Sequence, residues 1–151
     1  MKIDSAPLLE AGKHCMSLSE IESLAVEPFV GSGTRTTLFK DLQHLVGMLE
    51  SQEVSCEIWV DGSFLTEKLN PNDIDLTLVI SSQSFETITE NIKHEIVMLC
   101  DKTHRLSASL DCYISDSQDQ TRLSYWHGMW GSGRDNKPKG YIILEIEASR
   151  G

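Results

Sequence analysis

The sequence predicts an α+β domain of the α/β class, a small mixed sheet with helices on one face, within 151 residues. Three observations predict it. Apolar residues recur every three or four positions between residues 37 and 51 and again between 84 and 101, as in amphipathic helices. Short β-like runs lie at 55–60, 74–80, 107–114 and 141–146. Turn signals such as Asn70-Pro71-Asn72 separate the two kinds of segment.

Residues 1–17 show no period and are expected to form a loose arm ahead of a single domain spanning 18–151. Ser19-Glu20-Ile21-Glu22 fits a capping box and opens a helix to about Val26. Pro28 and Gly31-Ser32-Gly33 end it. The run Gly31-Ser32-Gly33-Thr34-Arg35 resembles a phosphate loop but lacks the full pattern, and it reads as a helix-to-helix turn. Leu38, Leu42, Leu45 and Leu49 then place one apolar stripe on a helix from Thr37 to Ser51. Ser55–Val60 is a strand that ends in Asp61-Gly62-Ser63. Ile74–Ile80 alternates most regularly of all. Phe85, Ile88, Ile92, Ile96 and Leu99 define a helical face, and Ser107–Ile114 is a third strand. Gln118–Trp130 reads as a helix, Gly131–Gly140 as a polar turn and Tyr141–Ile146 as the last strand. The order helix, helix, β, β, helix, β, helix, β suits a mixed sheet with helices packed on it.

Composition narrows the function classes. Apolar residues make up 40% of the chain, which is ordinary for a globular protein. No apolar run is long enough to span a bilayer, and the opening residues lack a signal-peptide layout. A cytoplasmic protein without membrane contact is therefore expected. The four cysteines form no C-x-x-C pair, and the five histidines add no zinc-type spacing. The net charge of −10 argues against a surface that grips long RNA or DNA, because such surfaces rest on Lys and Arg. Residues 1–115 carry 18 acidic and 8 basic residues, whereas residues 116–151 carry five of each. The C-terminal part would therefore receive a triphosphate better.

The chemistry concentrates in Trp59-Val60-Asp61-Gly62-Ser63-Phe64 and Asn70-Pro71-Asn72-Asp73-Ile74-Asp75-Leu76. Residues two apart on a strand share a face, about 6–7 Å apart. Asp73 and Asp75 would thus present two carboxylates side by side, an arrangement best tolerated around a cation. Mg²⁺ favours such oxygens and leaves room for water and phosphate. Asp111, midway along the third strand, would complete a three-carboxylate cage if its strand lies next to theirs. Gly62 lets the backbone approach a phosphate. Ser63 can add a hydroxyl, and, where it opens a helix, free N–H groups as well. Asp61 reads as a turn-stabilising residue, with orientation of a metal-bound water as the second reading. Arg134, Lys137 and Lys139 are candidate partners of a triphosphate. Trp126 and Trp130 read as core residues, and His127 as a surface or capping histidine.

The Gly-Ser turn, the following interval and the Asp-Ile-Asp-Leu strand resemble the signature of the polymerase-beta-like nucleotidyltransferase superfamily. Val60, Gly62, Ser63, Asp73, Ile74, Asp75, Leu76 and Asp111 occupy its positions, over about residues 54–114. The tail around 125–140 is similar to small bacterial and phage members with this core. The resemblance implies a minimal nucleotidyltransferase fold and two Mg²⁺ (or Mn²⁺) ions held by Asp73, Asp75 and Asp111. It implies a nucleoside triphosphate, such as ATP, held by Gly62 and Ser63. It also implies transfer of a nucleoside monophosphate to a protein, small-molecule or RNA-end acceptor, in a toxin–antitoxin or phage-defence setting. Phe64 follows the Gly-Ser pair where small antitoxin-type members have a Gly-Ser-x-x-Arg pattern. The alternative, from another class, is a catalytically silent module of the same fold that acts through protein contacts.

Overall fold

A computed structural model describes residues 6–100, 110–116 and 140–147. Five strands form one sheet in the order β1-β5-β2-β3-β4, comprising β1 (Gly12–Cys15), β2 (Cys56–Asp61), β3 (Ile74–Ile80), β4 (Leu110–Asp116) and β5 (Gly140–Ile146). β1 runs parallel to β5 and β4 parallel to β3, while β2 is antiparallel to both its neighbours. The sheet is thus mixed, as the alternation of helical and β-like runs predicts.

Helices α1 (Leu18–Ala25), α2 (Arg35–Ser51), α3 (Ser82–Thr87) and α4 (Glu90–Cys100) cover one face. The leucine stripe of α2 is buried, joined by Phe39 and Val46. It meets Ile58 and Val60 of β2, Ile74, Leu76, Leu78 and Ile80 of β3, and Ile142, Leu144 and Ile146 of β5. Each such side chain contributes about 1.5–3 kcal/mol on leaving water, which is what binds helices to sheet. Alternation sends Trp59, Val79, Tyr141 and Ile143 to the opposite face, where they form a second, smaller buried cluster.

Several element boundaries differ from the sequence reading. The capping box belongs to Ser17: its Oγ accepts from Glu20 N at 3.2 Å, and Glu20 Oε1 accepts from Ser17 N at 3.0 Å. Ser17-Leu18-Ser19-Glu20 has the same spacing as the Ser19 run, and the folded geometry shows that it is the one used. The periodic run 84–101 is two helices. Ile88, buried, turns extended at φ −70°, ψ 136°, and Gln52 Oε1 accepts from Thr89 N at 2.9 Å, so one α-helical ladder cannot run through. Residues of the expected loose arm are tied down by backbone bonds that need no side-chain period. β1 pairs with β5, Leu8 N donates to Leu65 O at 2.9 Å, and Glu67 N donates to Ala6 O at 2.8 Å. The helix expected at 118–130 lies outside the described residues. Among the described residues no helix is long and apolar enough to cross a membrane.

Candidate metal centre

The sheet register assembles the acidic residues. Asp61, the last residue of β2, stands opposite Asp75 on β3, and Asp75 stands beside Asp111 on β4. Paired residues on neighbouring strands point to the same face, so three carboxylates from three strands form a row across the sheet. Their face is the one away from the helices, since Ile74, Leu76 and Leu110 point into the helix-side core. Asp73 precedes β3. Carboxylate oxygens of Asp73, Asp75 and Asp111 lie within 4.8 Å of one another, and all three residues are half-buried. The adjacency of strands on which the sequence reading depends is therefore present.

Electrostatics follow from the crowding. Burial first, then the charges of Asp73, Asp111 and Asp61 and a side-chain hydrogen bond to Asp111, push the Asp75 carboxyl up from 3.8 to about 7. A hydrogen bond between two carboxyl groups needs a proton, so without a cation the site holds one near neutral pH. Asp61 is 4% exposed, and its charge, after burial, also raises the phenol of Tyr141.

Gly62 turns the chain at φ 88°, ψ −165°, a conformation side-chain-bearing residues rarely adopt. It also lies against Asp75: a Cβ here would fall 2.8 Å from Asp75 Cγ and closer still to Oδ2. Backbone and carboxylate thus meet where the sequence reading places phosphate and metal. Ser63 begins only a single 3-10 turn, Ser63–Leu65, whose Leu65 and Thr66 amides are taken by Gly62 O and Ser63 O at 3.1 Å. Ser63 therefore opens no helix long enough to supply a dipole, and Gly62 and the Ser63 hydroxyl remain as the turn's contribution.

Among the described residues only oxygen donors converge here, a set that fits Mg²⁺ or Mn²⁺ and not a thiolate- or imidazole-seeking metal. Thr77 lies two residues beyond Asp75 on the same face, fully buried, and its Oγ1 has no hydrogen-bond partner among the described residues. Such a hydroxyl is one that bound water or ligand would satisfy. Asp73, Asp75 and Asp111 are the residues that would hold a cation. Arg134, Lys137 and Lys139, together with Trp126, Trp130 and His127, lie outside the described residues.

Sequence reasoning missed Arg35 and undervalued Asp61. Asp61 reads first as a turn residue, and second as one that could orient a metal-bound water, until the register sets it opposite Asp75. Arg35 reads as part of a loop, yet it is fully buried. A signal for it existed: Arg35, Leu38, Leu42, Leu45 and Leu49 follow one 3-4 spacing, so the arginine heads the inward stripe.

The family model that matches the chain covers residues 1–145 and describes a family of unknown function (DUF6932), and the chain belongs to that family. No curated protein and no solved structure matches it.

Proposed function

We propose that this protein is a Mg²⁺-dependent nucleotidyltransferase that moves a nucleoside monophosphate from a nucleoside triphosphate to a hydroxyl-bearing acceptor. The observation that carries the reading is the convergence of Asp73, Asp75 and Asp111 within 4.8 Å, with the Gly62 backbone packed against Asp75. Two acids alone would be a common surface feature. Three acids from two adjacent strands beside a glycine turn, at the spacing of the nucleotidyltransferase signature, are far less so.

Asp73 and Asp75 would hold the cations, with Asp111 sharing one. Bound cations would neutralise charge on the triphosphate and on the acceptor oxygen. Gly62, lacking a Cβ, would let the phosphates come close, and the Ser63 hydroxyl would donate to a phosphate oxygen. Asp111 would take the acceptor's proton as its oxygen bonds to the α-phosphorus. The bond from that phosphorus to the bridging oxygen breaks, and pyrophosphate leaves with the electron pair. The acidic surface favours a protein or small-molecule acceptor over long RNA or DNA.

The test is incubation of the pure protein with each labelled nucleoside triphosphate and Mg²⁺, with and without cell lysate, beside an Asp73→Asn/Asp75→Asn variant. Label transfer or pyrophosphate release by the wild type and not by the variant supports the reading and reveals the acceptor. Triphosphate binding indifferent to Mg²⁺ and to both substitutions would return the chain to a silent binding module.

A further inference from the structure

Arg35 spends its guanidinium on main-chain oxygens. Nη1 donates to Ala25 O at 2.8 Å and Phe64 O at 2.6 Å, and Nη2 donates to Thr66 O at 2.7 Å and Lys68 O at 2.6 Å. The guanidinium carbon lies 3.6 Å from the Phe29 ring centroid and 5.3 Å from that of Phe64. Three of the four acceptors belong to the connection that carries Gly62 and Ser63 from β2 towards Asp73. The fourth closes α1.

Burying a charge is costly unless its donors are matched, and here four of five are, with Nε alone lacking a partner among the described residues. A leucine at the head of the stripe would carry no charge to bury. What it could not do is hold the carbonyls of residues 64, 66 and 68 together. The rigid fork of arginine can, whereas lysine offers three donors from a single nitrogen. A second tether lies alongside, since Asn70 Oδ1 accepts from Gly33 N at 2.7 Å and from Ser32 Oγ at 3.3 Å. The Gly31–Arg35 run, which resembles a phosphate loop, therefore grips the neighbouring loop.

We propose that Arg35 is the positioning residue of the Gly62-Ser63 turn: it touches neither cation nor substrate, and it holds the β2–β3 connection in its working shape before anything binds. A ligand then does not have to order the loop, which favours affinity. Asp75 and Asp111 lie in the β3–β4 ladder, and Asp73 directly precedes β3, beyond Lys68, the last residue whose carbonyl Arg35 holds, so cation binding is separable from loop order. The substrate part of this inference rests on the nucleotidyl-transfer reading, whereas the loop part does not.

Arg35→Lys tests it through three measurements: amide exchange at Leu65, Thr66 and Glu67 against Leu76 and Leu78 of β3, Mn²⁺ affinity by electron paramagnetic resonance, and Mg–ATP affinity by calorimetry. The expected result is exchange faster by about tenfold at 65–67 with β3 unchanged, Mn²⁺ affinity within about twofold, and Mg–ATP affinity lower by about tenfold, the scale of losing one hydrogen bond to a charged group. Unchanged exchange at 65–67 overturns the proposal. So does exchange accelerated equally across β3, or Mn²⁺ affinity lost in step with Mg–ATP. If the lysine variant does not fold, Arg35→Gln, which buries no charge and reaches at most two of the carbonyls, is judged by the same outcomes. A wild type that binds Mn²⁺ but no nucleoside triphosphate overturns the nucleotidyl-transfer reading, and exchange at 65–67 then decides the role of Arg35 by itself.

Discussion

Replacing Asp75 by asparagine removes a charge that the fold holds at a cost. The unfolded chain releases this proton near 3.8, whereas the folded chain keeps it to about 7, first because of burial and then because of Asp73, Asp111 and Asp61. Between those values the folded state binds the extra proton. Stability that is fully present below the unfolded value is therefore lost as pH rises through about 7. A separation of about three pH units sets a ceiling of about 4 kcal/mol. Asp75 is only half-buried, and solvent screening brings the expected effect to about 1–2 kcal/mol. Asparagine keeps the shape, can donate to Asp111 and carries no charge. In EDTA at pH 8, Asp75→Asn should melt about 2–8 °C above wild type. At pH 4, where wild-type Asp75 is itself protonated in the fold, the difference should vanish. Mg²⁺ should stabilise wild type and leave the variant unmoved. Thermal melts followed by circular dichroism read all three. A variant that melts at or below wild type at pH 8 in EDTA, or that gains equally at both pH values, would refute the reasoning.

For the wild type, the rise in melting temperature on adding Mg²⁺ should grow between pH 5 and pH 8, because the Asp75 carboxyl, pushed up to about 7, must lose its proton to bind. A gain that is flat with pH would count against the centre. Gly62→Ala should cost about 1–3 kcal/mol from the left-handed backbone alone. It should also weaken Mn²⁺ binding, since the added methyl displaces the Asp75 carboxylate; a variant that melts and binds like wild type would show that the approach is not tight. Ser17→Ala should lose about 1 kcal/mol through the lost cap, visible as a lower urea midpoint, while Ser19→Ala should change little. The reverse order would place the cap at Ser19.

What reads locally was legible in the sequence. The stripe of α2, the alternation of β3 and the Gly62-Ser63 turn follow from side-chain period and turn chemistry, and these depend on neighbours within about one or two helical turns. The same period gave Asp73 and Asp75 a shared face. Asp111 was readable as a candidate only, because its place beside Asp75 depends on which strand neighbours β3. The tertiary structure made that decision, and it made two more. The β2–β3 register set Asp61 across from Asp75, a pairing of residues 14 apart that no local pattern encodes. The burial of Arg35 turned a loop-like motif into a clamp on a segment some 30 positions away. The residues before Leu18 escaped notice for a related reason: β1 is held by backbone hydrogen bonds to β5, and backbone groups are the same in every sequence. The sequence by itself determined which residues could do chemistry. Only the packing of distant strands and helices decided which of them meet, because that depends on a register and a burial that no short stretch of the chain contains.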